Sequence, residues 1–570
     1  VNQRLAPAAI EPRVVLAEPE GERLAITLAS QMPTAVRDGV AGALGLAKEQ
    51  VRVMVGDVGG GFGMKTGLYP EDVVVAHAAR TLQRPVKWCA QRLEEFTASV
   101  HGRDLITHAE LALDANGKVL ALRARSVANV GGYALTVGVA IQLLIGPWVI
   151  TSIYDIQTID LKFTAVLTNT APTSAYRGAG RPEAIYLIER LMDAAARQLK
   201  MDPTELRRRN MIRPEQMPYK NPMNQLYDTG RFEYIMDRGL AHADWNGFEA
   251  RAAESARRGR LRGRGIATFL EWTGGNVFEE HVTVTVDGDG IEIFSATQAM
   301  GQGIATTYAQ LAVDVFGVPI EKIRIVQGDT DRGNGFGSAG SRSLFTGGTA
   351  VKVGAQRTVE RAQQLASDEL EVAAGDIEYR DGMFSVVGTD RKVGLFELAA
   401  RQPDSRILLE STAAANGPTW PNGCHVCEVE VDPDTGVVQI DRFVAVDDFG
   451  VVINPMIVEG QVHGGIAQGI GQALLEHGVY SEEGQLITGS YNDYTMPRAG
   501  DLPSFRLGLT STPCPSNPLG IKGCGEAGAI AAPPAVINAI TDALKIRDFA
   551  MPATPERVWR AANPTALAAE

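Results

Sequence analysis

The chain has 570 residues, 45% of them hydrophobic and 21% charged, which is ordinary globular usage with length for two or more cores. A formal net charge of −13 with no basic stripe excludes nucleic acid as the expected partner, because a phosphate-binding surface needs clustered lysine and arginine. Five scattered cysteines, Cys89, Cys424, Cys427, Cys514 and Cys524, imply no disulfide framework and fit a reducing, cytoplasmic setting.

In chain order, a strand-like run over 51–55 leads into GGGFGMK at 59–65. A glycine-dense turn lets main-chain amides approach a bulky polar ligand closely. It is not a nucleotide-phosphate loop, since Met64 rather than glycine precedes Lys65, and its spacing does not fit G-x-G-x-x-G. Residues 126–154 carry no formal charge and could span a bilayer by length, but five glycine or proline interruptions and the lack of basic flanks predict a buried, loop-rich core segment. SAYRGAGRPEA then places Arg177 and Arg181 in a flexible turn before the clearest helix, RPEAIYLIERLMDAAARQLKMD, whose apolar stripe includes Ile185, Ile188 and Met192.

The charged run FEARAAESARRGRLRGRG reads as a surface crossover, so two domains are expected, 1–245 and 246–570. A weak internal repeat supports a duplication: Gly45, Glu49, Arg52, Gly56 and Asp57 match Gly317, Glu321, Arg324, Gly328 and Asp329 without a gap. Each unit reads as strand, helix, strand, with Gln31 and Gln298 where the first strand ends, so the two glutamines could face one cleft. A helix is expected from 351 to about 373. CHVCEVEV alternates as a strand, so Cys424 and Cys427 are read as core residues, and GGIAQGIGQALLE reads as a glycine-rich helix start. His101, His425 and His463 lack metal-ligand spacing and are read as structural.

AMGQG with Gln302, GSAGSRS with Ser341 and Ser343, GGIAQGIG with Gln468, and GIKGCGE near the end add further polar glycine loops. Taken together they suggest a large anionic cofactor held between domains. Glu526 follows Gly525 and precedes the nearly chargeless AGAIAAPPAVINAI, so the expectation is either a buried carboxylate tuned as a general base or a helix N-terminal Glu satisfied by backbone amides.

These loops, in this order, resemble the molybdenum-binding large subunit of the xanthine oxidase family of molybdenum hydroxylases: SQMPT, VGGGFGMK, SAYRGAGRPEA, AMGQG, GSRS, DDFGVVINP, VEGQVHGGIAQGIGQAL and NPLGIKGCGEAGAI. The resemblance implies an α+β fold of two molybdopterin-binding domains with the cofactor at their interface. It implies Glu526 as active-site base, with Gln31 and Arg177 beside the metal. The Gly61, Phe62 and Gly63 backbone would join Gln31 at the metal's oxo ligand, and Met300, Gly301, Gln302, Gly340, Ser341, Ser343, Gln468, Cys524 and Gly525 would line the rest of the cofactor. Molybdenum would be held through the pterin dithiolene, with no direct protein ligand, as molybdopterin cytosine dinucleotide. The implied reaction inserts a water-derived oxygen at an electron-poor C–H carbon of an aldehyde or N-heterocycle. Electrons would pass to 2Fe-2S clusters on a small subunit and FAD on a medium subunit, in a dimer of heteromers. A carbon monoxide dehydrogenase-like protein of the second group and a non-catalytic pterin-binding subunit are the alternatives.

Three departures matter. Gly178 stands where copper-dependent carbon monoxide dehydrogenases of the family carry cysteine. Thr66 and Ala179 replace the Glu and Phe of purine-oxidising members. The family's further N-terminal α+β domain has no counterpart before VNQRLAPAAIEPR, and a separate polypeptide, cleavage or omission is expected to account for it.

Overall fold

The computed structural model describes residues 1–275 and 277–564. The duplication expected from the repeat is visible as topology. In one sheet, strands Val51–Met54, Arg23–Leu28, Val14–Glu20 and Val86–Cys89 lie in that order, the first pair parallel and the others antiparallel. Strands Ile323–Val326, Ile291–Ser295, Glu279–Val286 and Ile407–Ala414 form a second sheet with the same order and directions. The helices that precede the parallel strands, Pro33–Leu44 and Ile304–Phe316, both stop at a left-handed glycine, Gly45 at φ 64° and Gly317 at φ 61°. Glycine adopts that conformation without a Cβ penalty, which favours it at both helix ends.

The copies meet end to end. Val55 N–H donates to Gly328 O at 2.7 Å, Thr330 N–H donates to Val53 O at 3.1 Å, and Arg52 grips Asp329 with contacts of 2.6 and 3.0 Å. Two larger sheets repeat as well. Asn2–Leu5, Gly102–Leu113, Val119–Gly131 and Ile159–Leu167 pair antiparallel, antiparallel, parallel, as do Leu261–Leu270, Asn422–Val431, Val438–Asp448 and Arg506–Thr510. The duplication is therefore wider than its residue matches suggest, because topology persists where side chains have changed.

The largest core packs helices Arg181–Leu199, Pro455–Leu474 and Gly528–Leu544 against the last of these sheets. Ile185, Ile188 and Met192 are fully buried in it, as the helical stripe predicts. Helix Phe232–Ala243 joins the same sheet, its Gly239 lying against Cys424. Cys424 and Cys427 are buried in strand Asn422–Val431, in accord with the strand reading.

Three expectations need correction. GGIAQGIG does not start a helix: the helix begins at Pro455, capped by the Asn454 side chain, which accepts from Ile457 N–H at 3.1 Å. The glycines lie mid-helix because a Cβ at Gly465 would sit 2.8 Å from Gly528 Cα of the neighbouring helix. Close helix–helix approach offsets their low helix propensity. The charged run after Trp245 is not simply a solvated crossover. It forms helix Phe248–Arg257 and enters strand Leu261–Leu270, with Arg251 and Arg262 ion-paired to Glu428, and Arg258 and Arg262 to Glu430. Residues 126–154 are neither loop-rich nor wholly core: they hold the end of strand Val119–Gly131 and a continuous helical stretch over 136–148, and Tyr133, Leu143 and Leu144 are exposed. Among the described residues no helix is long and apolar enough to cross a membrane.

Candidate active site

The site is built where two long helices begin. Before helix Arg181–Leu199 the chain turns through positive φ at Gly178 (97°), Ala179 (40°) and Gly180 (89°). This tight turn is buried rather than flexible, and it brings the Gly178 amide and the Arg181 guanidinium to one point. Glu526 arrives there from the other half, two residues before helix Gly528–Leu544.

Of the two readings its apolar surroundings leave open, Glu526 is the satisfied acid rather than the unpaired one, held by a backbone amide and by side chains besides. Gly178 N–H donates to Oε1 at 2.9 Å, Arg181 Nη2 donates to Oε2 at 2.7 Å, and Ser341 Oγ lies 2.9 Å from Oε2. The apolar segment that follows it is buried, as expected, but the carboxyl itself turns toward polar groups that a linear reading cannot place beside it.

Arg177 ties the loops together. Its backbone N–H donates to Phe62 O at 2.9 Å, Nε donates to Gly525 O at 2.6 Å, Nη1 to Gln468 Oε1 at 3.0 Å, and Nη2 to Gln461 O and Oε1 at 2.9 and 3.1 Å. The first and last glycine loops, over 450 residues apart in sequence, are thus held by one residue. Burial pulls the guanidinium below its usual range, and the nearby Glu526 opposes that.

Gln31 extends the network. Its Oε1 accepts from Gly63 N–H and its Nε2 donates to Ser338 O, both at 2.9 Å. A Cβ on Gly61 would fall 2.4 Å from Gln31 Oε1. Ser338 Oγ in turn accepts from Gln298 N–H at 3.1 Å and from Ser343 Oγ at 2.8 Å. Gln298 O accepts from Gln302 Nε2 at 3.0 Å, and Gln302 Oε1 takes the Met300 N–H at 2.6 Å. Gly340 O accepts from Gly274 N–H at 2.8 Å, which anchors the Ser341 loop. Cys524 is half-buried beside Gly525, and burial pushes its thiol up to about 12. The two glutamines do share one neighbourhood, each bonded to Ser338.

Sequence reasoning missed Glu271, Ser338 and Gln461. Glu271 directly follows the strand Leu261–Leu270, is fully buried, and lies 3.0 Å from Ser341 Oγ. A lone acid closing the apolar run IATFL is the same signal that drew attention to Glu526. His101 and His425 are structural: His101 Nε2 meets Phe96 O at 2.9 Å and burial drives it down to about 3, and His425 is paired with Asp447 inside a sheet.

Two duplicated α+β halves closing on one partnered glutamate define the class, a two-domain chain with a polar site built between its halves. Profiles described as molybdopterin cofactor-binding domains match residues 1–211 and 238–503. The nicotine 6-hydroxylase large subunit of Paenarthrobacter nicotinovorans is 35% identical over 98% of this chain and 72% of its own length. The carbon monoxide dehydrogenase large chain of Hydrogenophaga pseudoflava is 34% identical over 94% and 70%. Quinoline 2-oxidoreductase of Pseudomonas putida 86 superposes with a TM-score of 0.93 at 36% identity, covering 98% of this chain and 75% of that one. The chain belongs to the xanthine oxidase family of molybdenum hydroxylases, as a large subunit, and is a molybdenum-dependent oxidoreductase. Nothing in these matches supports a separate polypeptide carrying the rest of the relatives' length.

Proposed function

We propose that this subunit hydroxylates an aromatic N-heterocycle, with aldehydes as the second substrate class, and that Glu526 is its base. The observation that carries the reading is the convergence on Glu526 of donors from both halves, Gly178 and Arg181 from one and Ser341 from the other. The relatives named for nicotine and quinoline favour the heterocycle. Carbon monoxide oxidation of the copper-dependent kind is disfavoured by backbone geometry: at φ 97°, a Cβ on Gly178 would lie 2.3 Å from Pro182 Cγ, so a cysteine has no room there.

The residues present fit a large polar cofactor. Gln298 Oε1 is buried without a partner among the described residues, and left-handed Gly301 borders open space in the same cluster. Gly61, Phe62, Gly63, Met300, Gln302, Gly340, Ser343 and Gln468 would line its cradle, and Gln31 keeps one amide hydrogen to offer it. When bound, the molybdenum cofactor supplies the two-electron redox chemistry. The chain's part is positioning and proton handling. Donors on both oxygens fix the plane and direction of the Glu526 carboxyl, which general-base catalysis requires. Arg177 sets that carboxyl's loop, through Gly525 O, relative to Phe62.

The names of the relatives, as large subunits and complex subunits, support partner chains. We infer an iron-sulfur small subunit and an FAD-binding medium subunit in a cytoplasmic dimer of heteromers, with the cytosine dinucleotide form of the pterin and a division between halves near 245. The test is the purified complex, assayed for molybdenum content and for reduction of an artificial electron acceptor with N-heterocycles, aldehydes and carbon monoxide in parallel. Turnover with a heterocycle is the expected result, and turnover with carbon monoxide alone overturns it.

A further inference from the structure

A second buried acid touches the catalytic carboxyl through a single hydroxyl. Ser341 Oγ lies 3.0 Å from Glu271 Oε1 and 2.9 Å from Glu526 Oε2. A serine hydroxyl owns one proton, so it can donate to only one of two carboxylates. The other contact is a hydrogen bond only if a carboxyl supplies the proton.

The surroundings decide which acid that is. Glu526 already receives the Gly178 N–H and the Arg181 guanidinium. Glu271 is fully buried, its Oε2 has no partner among the described residues, and Arg181 Nη2 stands 3.6 Å from its Oε1, beyond hydrogen-bond reach. Burying an ionised carboxylate with so little compensation is unfavourable, whereas a protonated one gains a donor where Ser341 needs it.

We propose that Glu271 is a positioning residue that enters the site protonated, donating to Ser341 Oγ so that the one serine proton is aimed at Glu526 Oε2. The inference rests on Glu526 being the base. The charged or titratable groups facing Glu271 are Arg181, Arg177, Glu526 and the Cys524 thiol. Burial first, and then the Glu526 charge, push Glu271 up to about 8, while Arg181, the Ser341 hydrogen bond and Arg177 oppose. As pH rises through that value Glu271 loses its proton, Ser341 must serve two carboxylates, and Glu526 loses one of its donors. Cys524, held near 12, stays neutral throughout.

The test uses the assembled enzyme carrying Glu271→Gln or Glu271→Leu. Infrared difference spectra between wild type and Glu271→Gln, taken without substrate, should contain a protonated-carboxyl C=O band at neutral pH that fades as pH passes about 8. In pH profiles of kcat/KM, Glu271→Leu should lose about tenfold or more at neutral pH, as expected for a lost hydrogen bond to a charged site. Glu271→Gln, whose amide can still donate to Ser341, should recover most of that loss and lack the alkaline limb of the wild type. Absence of the carboxyl band, or an unchanged alkaline limb in Glu271→Gln, overturns the proposal. The infrared arm needs no turnover, so if Glu526 proved not to be the base the band would still report whether Glu271 carries the proton.

Discussion

Glu526→Gln separates a chemical role for this carboxyl from a structural one. The glutamine amide has one acceptor end and one donor end, but Gly178 N–H points at one carboxyl oxygen and Arg181 at the other, at 2.9 and 2.7 Å. Whichever way the amide turns, one donor is left facing another donor. Ser341 can adapt by rotating its proton, so the net loss is one hydrogen bond, costing about 1–3 kcal/mol. Against a total stability of about 5–15 kcal/mol the chain still folds. Turnover is a different matter: a neutral amide cannot take a proton, and loss of a general base costs about 10²–10⁴-fold. The assay is dye-coupled turnover normalised to molybdenum content, with urea unfolding of the same preparations. The expected outcome is normal molybdenum loading, a modest fall in the unfolding midpoint, and kcat and kcat/KM reduced together. Turnover within about threefold of wild type at equal loading refutes the role of Glu526.

The remaining predictions concern the scaffold. Gly178→Cys should lower stability by about 2–5 kcal/mol, from left-handed strain and overpacking against Pro182, and should gain no carbon monoxide oxidation; a thermal melt and a gas-coupled dye assay check both. Gly465→Val should cost about 1–3 kcal/mol by forcing helices Pro455–Leu474 and Gly528–Leu544 apart. Gly460→Ala, where a Cβ meets nothing within 4 Å on the same helix, should gain up to about 1 kcal/mol, and urea titrations compare the two. Glu476 is buried and, among the described residues, has only the Tyr494 hydroxyl on one carboxyl oxygen; burial raises it from 4.5 to about 7. Its neutral form therefore contributes stability that is complete below about pH 4.5 and lost as pH rises through about 7. Glu476→Gln should flatten the melting temperature across that window, and an unaltered slope contradicts the assignment.

Local pattern carried much of this architecture. The gapless match of Gly45 to Asp57 with Gly317 to Asp329 required equivalent helix ends and strands, and both appear. The stripe of Ile185, Ile188 and Met192 named a buried helix face correctly. GGIAQGIG misled because glycine weakens a helix as seen locally, while the compensating contact with Gly528 comes from some sixty residues further along. Glu526 was legible as an acid beside an apolar segment, but its partners were not, since Gly178, Arg181 and Ser341 lie in separate stretches of chain. Glu271 carries the same signal, an acid closing the apolar run IATFL just before Gly274 and Gly275, but its partner Ser341 lies seventy residues further along the chain.

The duplication also explains why the site is asymmetric. Gly178 and Arg181 come from the first half, Ser341, Glu271 and Glu526 from the second, so neither copy contains a working set. Arg177 makes the dependence physical: its guanidinium belongs to the first half, yet its acceptors on Gly525, Gln468 and Gln461 all belong to the second. Removing those acceptors while the interface stays closed would strand a buried cation, a penalty well above that of an ordinary surface contact. The same bonds that fix Glu526 therefore also hold the two copies in register, and a substitution that loosens the interface should disturb proton handling even when it lies far from the carboxyl.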